Sequence, residues 1–165
     1  MTKFLLAVHV LAAIITIGPV TVAAGMFPAA ARRAAAAAAA DRANPADPAG
    51  LAAARTLHRI CRVYAVLGVA VPVFGLATAN SLHVLGSAWL ITSIVLTVLA
   101  AVVLGALVLP RQSAALAALD AGGGPAAEVV DRAAARLGMY TGVFNLLWAT
   151  VTVLMIVRPG STTGA

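Results

Sequence analysis

The chain has 165 residues, 62% of them hydrophobic and only 10% charged, with a mean hydropathy of +1.03. A soluble domain of this length needs far more polar surface, so the composition excludes that class and points to an integral membrane protein. The net charge of +6 would suit a nucleic-acid binder, but the arginines bracket apolar runs instead of gathering on one wet face, so no nucleic-acid partner is expected.

Four runs are long enough to cross a bilayer, which takes about 20 apolar residues. They are Phe4–Phe27, Val63–Ala79 (extendable back to Ile60), Leu85–Leu109 and Leu137–Val157. The first has Lys3 before it and small residues near Ala23–Gly25, as a secretory leader would. It is longer than the about 7–15 residues of a leader's apolar region and contains a Gly-Pro pair, so a retained helix is expected. The connection over 28–62 carries Arg32, Arg33, Arg42, Arg55, Arg59 and Arg62, and the third carries Arg111, Arg132 and Arg136. The second, around "TANSLHVLGS", carries no lysine or arginine. The positive-inside rule then puts connections one and three in the cytoplasm and both termini outside. All five acidic residues (Asp41, Asp47, Asp120, Glu128, Asp131) fall in the same two connections, as solvated charges.

The loops carry structure of their own. "AARRAAAAAAADR" extends the first helix into the cytoplasm, because alanine is the best helix former, and "ANPADPAG" ends it with two prolines and a glycine. "LAAARTLHRICRVY" restarts a helix into span two, and "DAGGGPAAE" separates two helical arms in the third connection. No internal repeat is evident. Ten arginines to one lysine, with abundant alanine, point to a GC-rich bacterial genome. The expected fold is all-α: a single domain over 1–165, folded as a transmembrane antiparallel four-helix bundle.

Helices in lipid meet through small and occasional polar residues, so each span is expected to turn such a stripe inward. Span one offers His9, Ala12, Ala13, Thr16, Val20, Ala23 and Ala24. Span two offers Cys61, Tyr64, Gly68, Pro72, Gly75 and Ala79. Span three offers Gly86, Trp89, Ser93, Thr97, Ala100 and Ala101, and span four Gly138, Thr141, Asn145, Trp148 and Thr152. Gly18-Pro19 and Pro72 are expected to bend their helices.

His9 is the ionisable group set deepest in an apolar run, about 7 Å inside span one at 1.5 Å per residue. Buried imidazole needs a partner. One reading pairs it with His83, at the outer start of span three, as axial ligands of a haem b held between helices, with Asn145 and Trp148 lining the pocket. The other gives it a structural hydrogen bond to Asn145, Thr152 or a backbone carbonyl. His58-x-x-Cys61 supplies two soft ligands where a metal site wants three or four, so it is given a structural or surface role, and no metal beyond haem iron is expected. Paired carboxylates, nucleophile motifs and phosphate loops are absent, so no catalytic residues are assigned and enzymatic activity is not the expectation.

The segments "KFLLAVHVLAAIITIGPVTVAAGMFP", "RTLHRICRVYAVLGVAVPVFGLAT" and "AWLITSIVLTVLAAVVLGALVLP" resemble a family of four-span bacterial integral membrane proteins of unassigned function. More distantly they are similar to copper-resistance CopD-like and HemJ-like membrane proteins. In the HemJ-like proteins a first-span histidine is implicated in haem binding, and His9 matches it. Their third-span lysine after a Trp-Leu pair is missing here, since Trp89-Leu90 is followed by Ile91, Thr92 and Ser93. The functional expectation is a non-catalytic accessory or assembly subunit of a membrane complex, partnered by the bilayer and other subunits. The alternative is a b-type haem protein in electron transfer or haem handling, and third a solute transporter.

Overall fold

A computed structural model describes residues 2–40, 48–122 and 124–160. The chain is all-α, with no strand among the described residues. The elements are α1 (Thr2–Ala40), α2 (Pro48–Leu67), α3 (Ala70–Ser81), α4 (Ala88–Val102), a π-helical stretch (Val103–Val108), α5 (Leu109–Ala121) and α6 (Gly124–Val157). They form four rods long and apolar enough to cross a membrane: Thr2–Ala40, Ala49–Ser81, Ala88–Ala121 and Ala127–Val157. At 1.5 Å per residue, the 39 residues of α1 run about 58 Å. That is nearly twice the about 30 Å of a hydrocarbon core, so the rods outlast the apolar spans that composition marks out. The expected break in "ANPADPAG", with Arg42, Asp41 and Asp47, lies for the most part outside the described residues.

Two of the rods change their hydrogen-bonding pattern next to a proline. Pro72 cannot bond to the carbonyl four residues back, that of Gly68, and the helix opens into a turn at Gly68–Val69 between α2 and α3. The freed Gly68 carbonyl is taken up by the Val71 N–H at 3.0 Å. Pro110 likewise follows the π-helical stretch, where the Leu109 N–H reaches back five residues to the Leu104 carbonyl. By contrast α1 continues through Pro19 and Pro28 as one unbroken helix.

Packing follows chain order. α1 lies along α2 and α3 on one side and α6 on the other, α6 lies along α4 and α5, and α2 meets α5. The inward residues of α6 are Val130, Ala134, Leu137, Thr141 and Phe144, spaced alternately four and three apart, and then Val151 seven residues on, past the half-buried Trp148. This is the seam of helices crossing at about 20°. The span-one stripe faces inward as expected, with Thr16, Val20, Ala23 and Ala24 buried and His9, Ala12 and Ala13 half-buried. Span four departs from expectation. Gly138 and Thr152 point outward, and the seam runs one residue earlier, through Leu137, Phe144 and Val151. The reason is volume: α1 presents Ala23, Ala24 and Ala31 to the same core, so the facing helix has to supply bulk. Pro72, Gly86 and Ala101 are also exposed.

Two ion pairs tie the arginine-bearing ends together, Arg32–Asp131 at 3.2 Å between α1 and α6 and Arg55–Asp120 at 2.6 Å between α2 and α5. Connections one and three therefore share one end of the bundle. All four side chains are close to half exposed or more, so each pair stabilises by about 0–1 kcal/mol. Along the rods the exterior is apolar as well: Ile14, Val22, Val73, Ile91, Val95, Leu146 and Ile156 all face outward. A surface of that kind suits lipid.

Candidate functional site

His9 sits on the inward side of α1, and its Nδ1 lies 2.8 Å from the Val71 carbonyl in the first turn of α3. A carbonyl only accepts, so Nδ1 carries the hydrogen and donates, and Nε2 is left with a free lone pair in the neutral ring. The contact is possible because residue 75 is glycine. A Cβ there would lie 2.9 Å from His9 Cε1 and 3.1 Å from Nδ1, closer than side chains pack. The imidazole thus rests on the backbone of α3, just beyond the proline break, and clasps α1 to α3. Of the partners expected from sequence, the backbone carbonyl is the one observed. Thr152 is exposed and gives its hydroxyl to the Trp148 carbonyl at 2.9 Å.

His83 has a backbone explanation. The Val84 N–H bonds to the Ala79 carbonyl at 3.2 Å and the His83 N–H to the Asn80 carbonyl at 3.1 Å. This is the bond pair of a Schellman termination for α3, with His83 at the left-handed position, φ 55°. Histidine is among the residues that tolerate that conformation, and its side chain is exposed.

Asn145 and Trp148 separate. Trp148 stacks edge-on against Phe144, with ring centroids 6.4 Å apart, and both line an apolar cavity of about 110 Å³ at the centre of the bundle. Tyr64, Gly68, Pro72 and Thr97 are also on its wall, so the cavity lies beside the α2–α3 break. Asn145 is half-buried and not on that wall. Its Oδ1, the Thr141 Oγ1 one turn earlier and the Trp89 Nε1 are buried without a hydrogen-bond partner among the described residues.

Sequence reasoning missed Gln112. It is fully buried in α5 and joins α2 to α5: its Oε1 accepts from His58 Nδ1 at 3.0 Å, and its Nε2 lies 3.6 Å from Cys61 Sγ. Ser113 Oγ lies 3.3 Å from His58 Nε2 and 3.2 Å from the Leu109 carbonyl. His58 and Cys61 are thus parts of an interhelical network between α2 and α5. The detectable signal was spacing, because Gln112 follows the buried Leu104 and Val108 at intervals of four. Most other hydroxyls in the rods turn back on their own helix. Thr16, Thr78, Thr92, Ser93, Thr97 and Thr150 each bond to the carbonyl four residues earlier, so they offer no polar path across the bundle.

His9 Nε2 makes no hydrogen bond among the described residues, and a ligating histidine has its Nδ1–H held by a carbonyl in the same way. The surroundings do not fit a haem inside the bundle. The central cavity is well below the about 300 Å³ at which ligand pockets begin, and His9 is not on its wall. No group of three or more His, Cys, Asp or Glu converges as a metal site among the described residues. The chain matches no protein-family model, no curated protein and no solved structure, so its chemistry rests on this geometry alone.

Proposed function

We propose that this chain is a small multi-pass protein of the bacterial inner membrane, with both termini outside, acting as a non-catalytic accessory or assembly subunit of a larger membrane complex. The observation that carries the reading is the glycine pair left on the outside of α6. Gly138 and Gly142 are exposed, four residues apart, and a Cβ built on either meets nothing within 4 Å. The bundle's own packing does not use them. Glycines at this spacing let a second helix approach backbone to backbone, which is how helices associate where apolar burial no longer discriminates. Gly18 and Gly25 leave a similar open strip on α1.

The test is photo-crosslinking in native membranes from a probe residue at 142, with a probe at the exposed Ile91 as the control. A crosslink to another membrane polypeptide from 142 alone, abolished by Gly138→Ile, is the expected result. Lipid adducts only, together with a monomer on native gels, would refute the reading.

The alternative is a b-type haem protein with His9 as axial ligand, supported by an Nε2 that makes no hydrogen bond among the described residues. It requires the helices to part beside His9. The visible spectrum decides: a Soret band lost in His9→Ala supports it, and a colourless preparation from haem-replete cells rejects it.

A further inference from the structure

One face of α2 combines charge and apolar surface in a way the packing leaves unused. Arg55, Arg59 and Arg62 recur at intervals of four and three on the outer side of the helix, and Val63, Val66 and Leu67 continue the same strip toward the apolar span. The apolar three are 48%, 72% and 50% exposed. These six residues, with Thr56 and His58 beside them on α2, form an open surface strip, and no Asp or Glu lines it among the described residues. Arg55 is engaged by Asp120 at 2.6 Å, whereas Arg59 and Arg62 make no hydrogen bond or ion pair among the described residues. Two guanidiniums therefore stand without an acidic partner among the described residues, at the junction between basic connection and apolar span.

We propose that this face binds an anionic phospholipid, its phosphate held by Arg59 and Arg62 and an acyl chain laid along Val63, Val66 and Leu67. Guanidinium offers a planar pair of donors that matches phosphate oxygens. From Arg59 to Leu67 the helix rises about 12 Å, enough to take a lipid from its phosphate into its upper chain. A soluble anion would use the arginines and leave the exposed apolar strip without a purpose. Lipid fills both. The proposal rests on the reading of the chain as a membrane protein.

The experiment reconstitutes the full chain in phosphatidylcholine vesicles and compares spin-labelled phosphatidylglycerol with spin-labelled phosphatidylcholine in the protein-restricted fraction. Alkaline carbonate extraction is done first. A chain released by carbonate overturns the membrane reading, and this proposal with it. A retained chain without lipid preference overturns this proposal alone. Retained wild type is expected to favour the glycerol lipid severalfold. Arg62→Gln should reduce the preference by up to about fivefold, the weight of one arginine near an anionic surface. Arg59→Gln with Arg62→Gln should bring it near parity. Arg136→Gln removes another exposed charge, from α6 and outside this face, and should leave the preference intact. An unchanged preference in the Arg59 and Arg62 variants, an equal loss in Arg136→Gln, or displacement of the lipid by inorganic phosphate would overturn the assignment. The helical circular dichroism of each variant confirms its fold, and the single variant stands if the double one misfolds.

Discussion

Replacing Gly75 with alanine tests whether the His9 clasp holds α1 to α3. The added Cβ would lie 2.9 Å from His9 Cε1, 3.1 Å from Nδ1 and 3.6 Å from Nε2, so the ring or the helix has to move. Over-packing of this kind costs about 1–3 kcal/mol. Displacing the ring also strains the 2.8 Å bond to the Val71 carbonyl, and interhelical hydrogen bonds in membrane proteins contribute about 0.6–1.7 kcal/mol. Against this, alanine is the better helix former by about 0.5–1 kcal/mol. The balance is a net loss of about 1–3 kcal/mol. With His9 already replaced by alanine the obstacle is gone, and Gly75→Ala should be neutral or stabilising by the propensity difference alone. The four proteins form a double-mutant cycle with a predicted coupling of about 2 kcal/mol. The assay is reversible unfolding in mixed micelles of mild detergent and dodecyl sulfate, followed by helical circular dichroism. Equal stabilisation by Gly75→Ala in both backgrounds would refute the clasp.

Two further substitutions probe the interior by the same unfolding assay. Gln112→Leu leaves His58 Nδ1 without its buried acceptor and should destabilise by about 1–3 kcal/mol, whereas Ser113→Ala should change stability by less than about 0.5 kcal/mol because Ser113 is exposed. Equal effects from the two would place the network's strength elsewhere. Phe144→Ala opens further space beside the about 110 Å³ central cavity and should cost about 3–5 kcal/mol, the largest loss of the set. A loss below about 1 kcal/mol would mean that the helices close over the gap.

Hydropathy alone carried the number of rods and their helical class, because a bilayer-length apolar run has to satisfy its backbone internally. Arginine placement anticipated that connections one and three share one end, which Arg32–Asp131 and Arg55–Asp120 bear out. The inward stripe of span one was legible for the same kind of reason: its small residues recur at the helical period. Pro72 could be read too, as a ring with no N–H to give Gly68. Span four was legible only to within one residue of rotation. Small-residue spacing fits Gly138 and Leu137 almost equally, and the choice depends on how much volume α1 leaves empty.

The sequence by itself determined four apolar helices with one arginine-rich end, because length, hydropathy and charge are properties of each segment alone. Only the tertiary structure decided what His9 touches. A backbone carbonyl has no sequence signature, and its availability to His9 depends on α3 lying against α1 with a glycine at the point of contact. The same holds for Gln112, whose partners His58 and Cys61 lie more than fifty residues away, and for Gly138 and Gly142, which are exposed only because Leu137 and Phe144 took the interior. These are relations between helices. They are fixed by the volume and hydrogen-bonding groups that each helix presents to the next.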